Sequence, residues 1–329
     1  MRVLPETLRH LSRQSVPEHI PWEVIAVDNA STDRTADVAR EVWSTYGSPV
    51  PLRVVDERVP GVSAAREKGY EEASYEFIIY CDDDNWLGTD YVRLVYELMM
   101  EHPSMGAVGG QGRAVGETEL PGWFERYARY YAVGPQGDRR GDVSDAKGYL
   151  YGAGLSVRRS VLSQMKRLGV TRRLSDKKPG TLVSGGDDEL GYLIRLMGYG
   201  LWYDPRLEFS HFLPSGRLRW KYFLALVEGA HRVRPYLDAY RLVLKGEAGG
   251  PGTWRWIAEC WKIVWRVLRR PEVLVAAIAD REGSGASYLW HRSRSEWIGW
   301  WTMGSEHGAL RRELVREYTH DPVARAEAG

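Results

Sequence analysis

The sequence predicts an α/β fold with a mostly parallel sheet, followed by a helical C-terminal extension. From Trp22 to about Gly112, short β-branched apolar runs alternate with longer helical patterns, which is typical of βαβ units. After Pro214 the strand signals stop and only helical patterns continue. The length of 329 residues and the hydrophobic content of 43% provide enough apolar surface for one large domain or two small ones.

The first part of the chain contains four short apolar runs that we predict to be strands. They cover Val24–Val27, Leu52–Val55, Phe77–Cys81 and Ala107–Gly109. Helices are expected between them over residues 33–46, 63–73 and 89–101. A further helix is expected over residues 5–14, because Leu4, Leu8 and Leu11 recur at helical spacing. The sequence therefore opens on a helix, without the strand that usually begins a sheet of this kind.

The second part of the chain is mixed and then helical. Helices are expected over residues 159–168 and 188–197, and short strands over residues 201–203 and 207–211. We predict a domain boundary at residue 214. Residues 1–214 would form the α/β domain, and residues 215–329 would form a helical extension that is rich in tryptophan.

Composition excludes several classes of protein and of partner. The 45 lysines and arginines balance 44 aspartates and glutamates, so the net charge of +1 gives no general reason to bind nucleic acid. The 2 cysteines, Cys81 and Cys260, lie in apolar runs and favour a reducing compartment over a disulfide scaffold. The sequence has no apolar signal-peptide core and no apolar run long enough to span a membrane. We therefore expect a cytoplasmic protein.

The most informative motif is an apolar strand that ends directly in three carboxylates, Asp82, Asp83 and Asp84. Carboxylates this close repel one another. A hard divalent cation held by one or two of them and by phosphate oxygens would relieve the repulsion. Strand carboxyl ends are also where α/β sheets bind ligands. The alternative is a solvated acidic turn that caps the next helix.

Two further motifs precede this one in the chain. Another strand ends in Asp28 and Asn29 just before a helix, an arrangement that also occurs as an ordinary Asx turn. Residues 61–66 open the following helix with a glycine and end on Arg66. The free backbone amides of that helix start, together with Arg66, could face a phosphate or the acidic cluster.

In this order the motifs resemble the nucleotide-sugar half of family 2 glycosyltransferases, which have the Rossmann-like GT-A fold. The matching segments are residues 28–33, 61–66, 82–85, 151–154 and 185–190, followed by His211. The resemblance covers residues 4–226. It implies an inverting enzyme that moves a sugar from a nucleotide-sugar donor, most often a UDP-sugar, to a saccharide or lipid-linked acceptor in polysaccharide biosynthesis.

The resemblance implies a metal site and a donor site. Asp84 and His211 would ligate Mg²⁺ or Mn²⁺ against the donor diphosphate, although a histidine at a strand end is often structural. Asp28 would contact the uracil or ribose, and Asp82 would hydrogen-bond the ribose region. The other donor-binding candidates are Asn29, Arg66, Asp83, Gly152 and Gly154. The two glycines would let the backbone approach the sugar closely, or would simply form a tight turn.

The resemblance also implies a catalytic base for the acceptor hydroxyl, and Asp187 matches it best. The family usually has Glu-Asp at this point, whereas this sequence reads Gly186-Asp187. Asp188 could therefore serve instead, after a shift of one residue. The structural alternative is a helix whose first turn carries carboxylates because the helix dipole favours them there.

Two other functions remain open from the sequence. One is a catalytically silent protein that binds nucleotide sugars or acts as a scaffold, suggested by the apparently missing first strand and by Gly186. The other is a nucleotidyltransferase on a similar sheet, which the motifs at Gly152 and Asp187 argue against.

Residues 254–270 predict an amphipathic helix. Its charged residues recur three and four positions apart and form a mostly basic stripe: Arg255, Glu259, Lys262, Arg266 and Arg269. A basic, tryptophan-rich helix fits the surface of an anionic membrane, which would make the protein peripheral at the inner face of the membrane. The alternative is that this helix packs on the catalytic domain or on a second copy of the chain.

Overall fold

The computed structural model describes residues 3–174, 185–247, 252–276 and 278–318. The chain divides into two compact units. The α/β unit comprises Met1–Glu117, Tyr131–Gly169 and Gly198–Leu213. The helical unit comprises Thr118–Tyr130, Val170–Met197 and Pro214–Gly329.

All the described strands belong to the α/β unit, whereas the described helices are divided between the two units. The strands are β1 (Val24–Asn29), β2 (Leu52–Glu57), β3 (Phe77–Ile79), β4 (Asn85–Leu87), β5 (Met105–Gly116), β6 (Gly141–Asp142), β7 (Ser156–Arg158) and β8 (Gly200–Leu213). The helices are α1 (Leu4–Ser12), α2 (Thr35–Thr45), α3 (Val62–Glu72), α4 (Tyr91–Glu101), α5 (Phe124–Tyr127), α6 (Arg159–Arg167), α7 (Gly186–Leu196), α8 (Trp220–Arg232), α9 (Arg234–Leu244), α10 (Gly252–Leu268), α11 (Pro271–Ala276), α12 (Gly285–Met303) and α13 (Glu306–Tyr318).

The strands form two sheets with parallel and antiparallel pairs. Strands β1 and β2 pair in parallel as a sheet of their own. The larger sheet has the order β3-β7-β5-β8-β4, and β6 also pairs with β8. Its long ladder, between β5 and β8, is parallel, while the short ladders of β3, β4, β6 and β7 are antiparallel. The long ladders are therefore parallel, as the sequence predicts, but the short antiparallel ones are not foreseen.

The predicted α/β class and the helical character of the described chain after residue 214 are confirmed. Most predicted elements begin and end within a few residues of the observed ones. The strands predicted over residues 201–203 and 207–211 are one continuous strand, β8. Strands β4, β6 and β7 are not predicted, because they are only two or three residues long and, unlike β3, do not lie within a longer apolar run.

The core of the α/β unit lies on both sheets. Leu8 of α1 and Trp43 of α2 pack with Val24 against the two-stranded sheet. Tyr91 of α4 belongs to a larger buried cluster that covers the six-stranded sheet and includes Phe209 of β8. Apolar burial of this kind is the main favourable contribution to folding, and it fixes the strand ends described below.

The observed units differ from the predicted division at residue 214. Residues 118–130 and 170–197 belong to the helical unit rather than to the α/β unit. In the first segment, Tyr127 of α5 packs its ring on Phe223 and Tyr288. In the second, the hydroxyl group of Tyr240 donates to Glu189 of α7. Both segments are thus held by long-range contacts that the local sequence pattern does not reveal.

The basic stripe predicted on residues 254–270 is only partly exposed. Arg255 forms an ion pair with Asp238 at 2.8 Å, and Arg266 forms one with Glu296 at 3.1 Å. The stripe therefore contributes anchoring contacts within the helical unit and is not a continuous solvent-facing surface. In the described parts of the chain, no helix combines the length and the apolarity that crossing a membrane requires.

Candidate active site

The register of one short ladder assembles the centre of the site. The chain turns sharply after β3, and the backbone amide of Asn85 donates to the carbonyl oxygen of Asp82 at 2.9 Å. Strand β4 then pairs antiparallel with β8, which places Asn85 opposite His211. The amide of Phe212 donates to the carbonyl oxygen of Asp84 at 2.8 Å. A histidine far away in the sequence is thereby brought beside the acidic cluster.

Asp84 and His211 face each other across a short gap. The Oδ2 atom of Asp84 lies 3.6 Å from Nε2 of His211. On the other side of the ring, Nδ1 lies 2.7 Å from the carbonyl oxygen of Tyr131. A carbonyl can only accept, so Nδ1 donates this hydrogen bond, and Nε2 is the ring nitrogen that faces Asp84. Metal-ligating histidines are typically oriented by such a bond from their other nitrogen.

The Asp84 carboxylate is also fixed from its other oxygen. The side-chain amide of Asn85 donates to Oδ1 at 2.9 Å, and Asn85 itself is fully buried. Asp84 is only 6% exposed. A carboxylate oxygen and an imidazole nitrogen thus lie near each other at a distance longer than a hydrogen bond. This arrangement suits a cation.

The protein side chains at this position are too few to complete the coordination of a cation. Across the ranges that the structure describes, no group of three or more histidine, cysteine, aspartate or glutamate side chains is placed to hold a metal ion. Mg²⁺ commonly binds through one or two carboxylates plus the phosphates of a substrate. The predicted ligands Asp84 and His211 are thus brought together, and they fit a cation whose coordination a phosphate group completes.

Arg66 contacts two other predicted donor-binding residues. It lies in the first turns of α3, and its Nη2 atom is 3.6 Å from Oδ1 of Asp82. The same nitrogen donates to the carbonyl oxygen of Gly152 at 3.2 Å. The guanidinium group also stacks over the ring of Tyr80, 5.1 Å from its centroid. Its side chain is mostly buried, so Arg66 fixes the residue 152 backbone next to the end of β3.

Gly154 requires glycine for two reasons. Its φ of +67° is a conformation that side chains with a Cβ rarely adopt. A Cβ there would also lie 2.7 Å from the hydroxyl oxygen of Tyr91, and that hydroxyl group donates to the Gly154 carbonyl. The tight-turn interpretation of Gly152 and Gly154 is therefore correct locally, and the turn is tied to both Arg66 and α4.

Asp28 and Asn29 lie at the end of β1, where their side chains order the adjoining loops. Oδ1 of Asp28 accepts from the amide of Ser31 at 3.2 Å. The side chain of Asn29 donates to the carbonyl oxygen of Val59 at 2.6 Å and accepts from the amide of Gly61 at 2.7 Å. Asn29 thus holds the loop that leads into α3. The local side-chain turn predicted here is thus formed by Asp28 and Ser31, whereas Asn29 positions the helix that carries Arg66.

The thiol of Cys81 lies directly before the acidic cluster. Burial, together with the negative charges of Asp82, Asp84 and Asp83, raises the pKa of Cys81 far above its ordinary value. The thiol therefore stays protonated, and it donates to the carbonyl oxygen of Asn85 at 3.2 Å. A protonated thiol is neither a metal ligand nor a nucleophile.

Three groups whose roles the sequence does not predict also shape this site. They are the side chain of Asn85, the carbonyl oxygen of Tyr131 and the hydroxyl group of Thr7, which donates to the carbonyl oxygen of Asp83. The position of Asn85 directly after three aspartates is a readable signal. The carbonyl oxygen of Tyr131 gives no such signal in the sequence, because every residue has a backbone carbonyl.

A second acidic triplet begins α7 in the helical unit. Glu189 is fully buried and accepts from the amides of Arg173 and Leu174, both at 2.8 Å, and from the Tyr240 hydroxyl at 2.6 Å. Asp187 and Asp188 are partly exposed in the same first turn. The carboxylate of Glu189 thus binds the backbone of residues 173 and 174, whereas the predicted base candidates are the two partly exposed residues before it.

Comparison with known proteins agrees with these motifs. The model of the family described as glycosyl transferase family 2 matches residues 2–165. Glycosyltransferase GlyA of Streptococcus pneumoniae is 29% identical over 89 residues, which are 26% of this chain and 12% of that protein. Poly(ribitol-phosphate) beta-glucosyltransferase of Bacillus spizizenii is 30% identical over 118 residues, 34% of this chain and 18% of that protein. The matched segments thus cover less than a fifth of either relative.

Solved structures also align with this chain. The mannosyltransferase PcManGT from Pyrobaculum calidifontis, determined in complex with GDP-Man and Mn²⁺, aligns over 97% of this chain and 84% of its own. The TM-score is 0.49 and the sequence identity is 18%.

Proposed function

We propose that this chain, which belongs to glycosyl transferase family 2 through residues 2–165, transfers a sugar from a nucleotide-sugar donor to a hydroxyl group of a saccharide or lipid-linked acceptor, with inversion at the anomeric carbon. The observation that carries the proposal is the pairing of Asp84 with His211 at the end of β3, beside Arg66 and Asp82. We further propose that the reaction takes place in the cytoplasm.

Asp84 and His211 would hold Mg²⁺ or Mn²⁺ in this proposal. When bound, the cation would supply charge neutralisation for the nucleoside diphosphate that leaves as the glycosidic bond breaks. The chain itself provides the orientation. Asn85 fixes one oxygen of Asp84, and the Tyr131 carbonyl fixes the ring of His211. Both ligands are thus held in place before a donor arrives, which avoids reorganisation during the reaction.

The donor, proposed to be a UDP-sugar, would bind along the ends of β1 and β3. Asp28 would contact the uracil or ribose, and Asp82 and Asp83 would take ribose hydroxyls. Gly152 and Gly154 would form the wall against the sugar, held in position by Arg66. The hydrogen bonds of Asn29 support a positioning function for that residue, because its side chain holds the loop before α3.

The acceptor hydroxyl would attack the anomeric carbon while the bond from that carbon to the diphosphate oxygen breaks. The hydroxyl proton would pass to Asp187, or to Asp188 if the one-residue shift applies. Such a base typically contributes about 10² to 10⁴ in rate. Glu189 is unsuited to this task, since three donors already occupy its carboxylate.

The direct test is a screen of nucleotide sugars with the purified chain, in Mn²⁺, in Mg²⁺ and in EDTA. We expect release of a nucleoside diphosphate from one donor class only when a divalent cation is present. Equal release in EDTA would contradict the metal assignment. Donor binding without any turnover would favour the catalytically silent alternative, and release of pyrophosphate from a nucleoside triphosphate would favour a nucleotidyltransferase.

A further inference from the structure

Helix α10 is apolar on two faces, and only one of them is covered. On the covered face, Cys260 and Ile263 are buried with Trp300 of α12. Trp256 also packs against this cluster. The ion pairs of Arg255 and Arg266 flank the covered face and attach the helix to the rest of the helical unit.

The other face consists of residues three, four and seven positions apart, so they share one side of the helix. Trp254 is 70% exposed, Trp261 68% and Trp265 56%. Leu268 lies at the end of the same face and is 57% exposed. With about 200 Å² per aromatic side chain, the three tryptophans alone present roughly 400 Å², as much as the largest apolar patch of a typical monomer.

The edge of this exposed face is basic. Lys262 and Arg269 lie beside the tryptophans, and the guanidinium group of Arg269 stacks 4.6 Å from the ring centroid of Trp265. The exposed residues of this face are Trp254, Ala258, Trp261, Lys262, Trp265, Leu268 and Arg269, and the partly exposed Glu259 beside them forms an ion pair with Lys262 at 2.7 Å. The apolar surface continues along the chain into α11, where Leu274 and Val275 are exposed.

We infer that this face of α10 binds the headgroup region of an anionic lipid bilayer. Tryptophan is the residue type that prefers the membrane interface, since its ring is apolar and its N–H remains near water. Basic residues at the edge add attraction to anionic headgroups. A second copy of the chain fits less well, because it would bring the same cations to the contact, and the edge carboxylate Glu259 is already paired with Lys262 within the helix.

Only part of residues 254–270 would meet the membrane. The membrane-facing surface is the tryptophan face with Lys262 and Arg269, and the inner part of the basic stripe serves as an internal anchor. Under the proposed function, on which this point alone rests, membrane binding would bring the enzyme to a lipid-linked acceptor. The binding itself is measurable without any transfer reaction.

The test is co-flotation of the full chain with vesicles made of equal parts phosphatidylglycerol and phosphatidylcholine. We expect the unsubstituted protein to bind, and Trp254→Ala, Trp261→Ala and Trp265→Ala combined to weaken binding at least about 100-fold. A matched control removes exposed apolar side chains of the α/β unit, Tyr75→Ala with Met100→Ala, and should bind normally. Far-UV circular dichroism checks that each variant is folded.

A second variant separates charge from apolar contact. Lys262→Glu with Arg269→Glu leaves the tryptophans in place, and we expect it to lose at least tenfold in binding to the anionic vesicles. Equal binding by the unsubstituted protein and the triple tryptophan variant would overturn the inference. So would self-association that the tryptophan substitutions abolish, combined with no binding to vesicles. Donor hydrolysis without vesicles tests the proposed function separately, and the tryptophan variant should retain it.

Discussion

The chain contains two runs of three consecutive carboxylates, and the structure treats their buried members in opposite ways. In Asp82–Asp84, the buried carboxylate of Asp84 faces the imidazole of His211 across 3.6 Å. In Asp187–Glu189, the buried carboxylate of Glu189 is saturated by two backbone amides and a tyrosine hydroxyl. Burial alone therefore does not mark a functional carboxylate.

The difference lies in the partners. Neutral donors that hydrogen-bond to a buried carboxylate satisfy its need for partners, so the carboxylate then has a structural role. In the proposed function, the carboxylate of Asp84 and the imidazole of His211 would instead share a divalent cation. Each prediction below tests one side of this comparison.

The largest effect is expected at Asp84. Replacing it with alanine, Asp84→Ala, should reduce transfer by at least about 10⁴-fold, because the cation loses its carboxylate ligand and the leaving diphosphate loses several kcal/mol of stabilisation. The measurement is nucleoside diphosphate release under saturating metal. Asp56→Ala, which removes an exposed carboxylate of β2, is the control and should be nearly normal. Undiminished turnover by Asp84→Ala would show that Asp84 is not required as a metal ligand, and the contrast with Glu189 would then fail.

The next largest effect is expected in the first turn of α7. Asp187→Asn should lower kcat by about 10² to 10⁴, whereas Asp188→Asn should change it only a few-fold. Amide variants keep the shape of the side chain and remove only its basicity, so kcat is the relevant measurement. The reverse pattern would transfer the role to Asp188. If both variants were fully active, neither carboxylate would be the base.

The smallest effect on activity is expected from a substitution at Glu189, which should instead lower the stability of the fold. Glu189→Gln turns an NH₂ group towards donors that need an acceptor, which should cost about 2 to 3 kcal/mol in the free energy of unfolding. Chemical denaturation measures this change, with Glu306→Gln on the exposed start of α13 as the control. Activity per folded molecule should be close to normal. A large loss of kcat with unchanged stability would place Glu189 in the chemistry instead.

The sequence predicts the elements and the acidic strand end well, because both are local. Repulsion among Asp82, Asp83 and Asp84 is evident from their adjacency, and the order of the motifs brings His211 into consideration. The contact between Asp84 and His211 depends on the register of a three-residue strand, which no local pattern specifies. The same limit applies to the backbone carbonyl of Tyr131.

The amphipathic helix over residues 254–270 shows a related limit. Its charged stripe is readable from the sequence, but the stripe does not reveal which side the protein covers. That choice depends on Asp238 and Glu296, two partners on other helices. Periodicity predicts the faces of a helix, and only tertiary contacts decide which face is exposed.

In the proposed function, Asp84 and His211 would together hold a divalent cation against a diphosphate. The most direct measurement is Mn²⁺ binding to the full chain, followed by electron paramagnetic resonance with and without UDP. We predict that UDP tightens Mn²⁺ binding in the unsubstituted protein and that Asp84→Asn and His211→Ala each abolish this tightening. Equal Mn²⁺ affinity in the presence of UDP for all three proteins would contradict the claim.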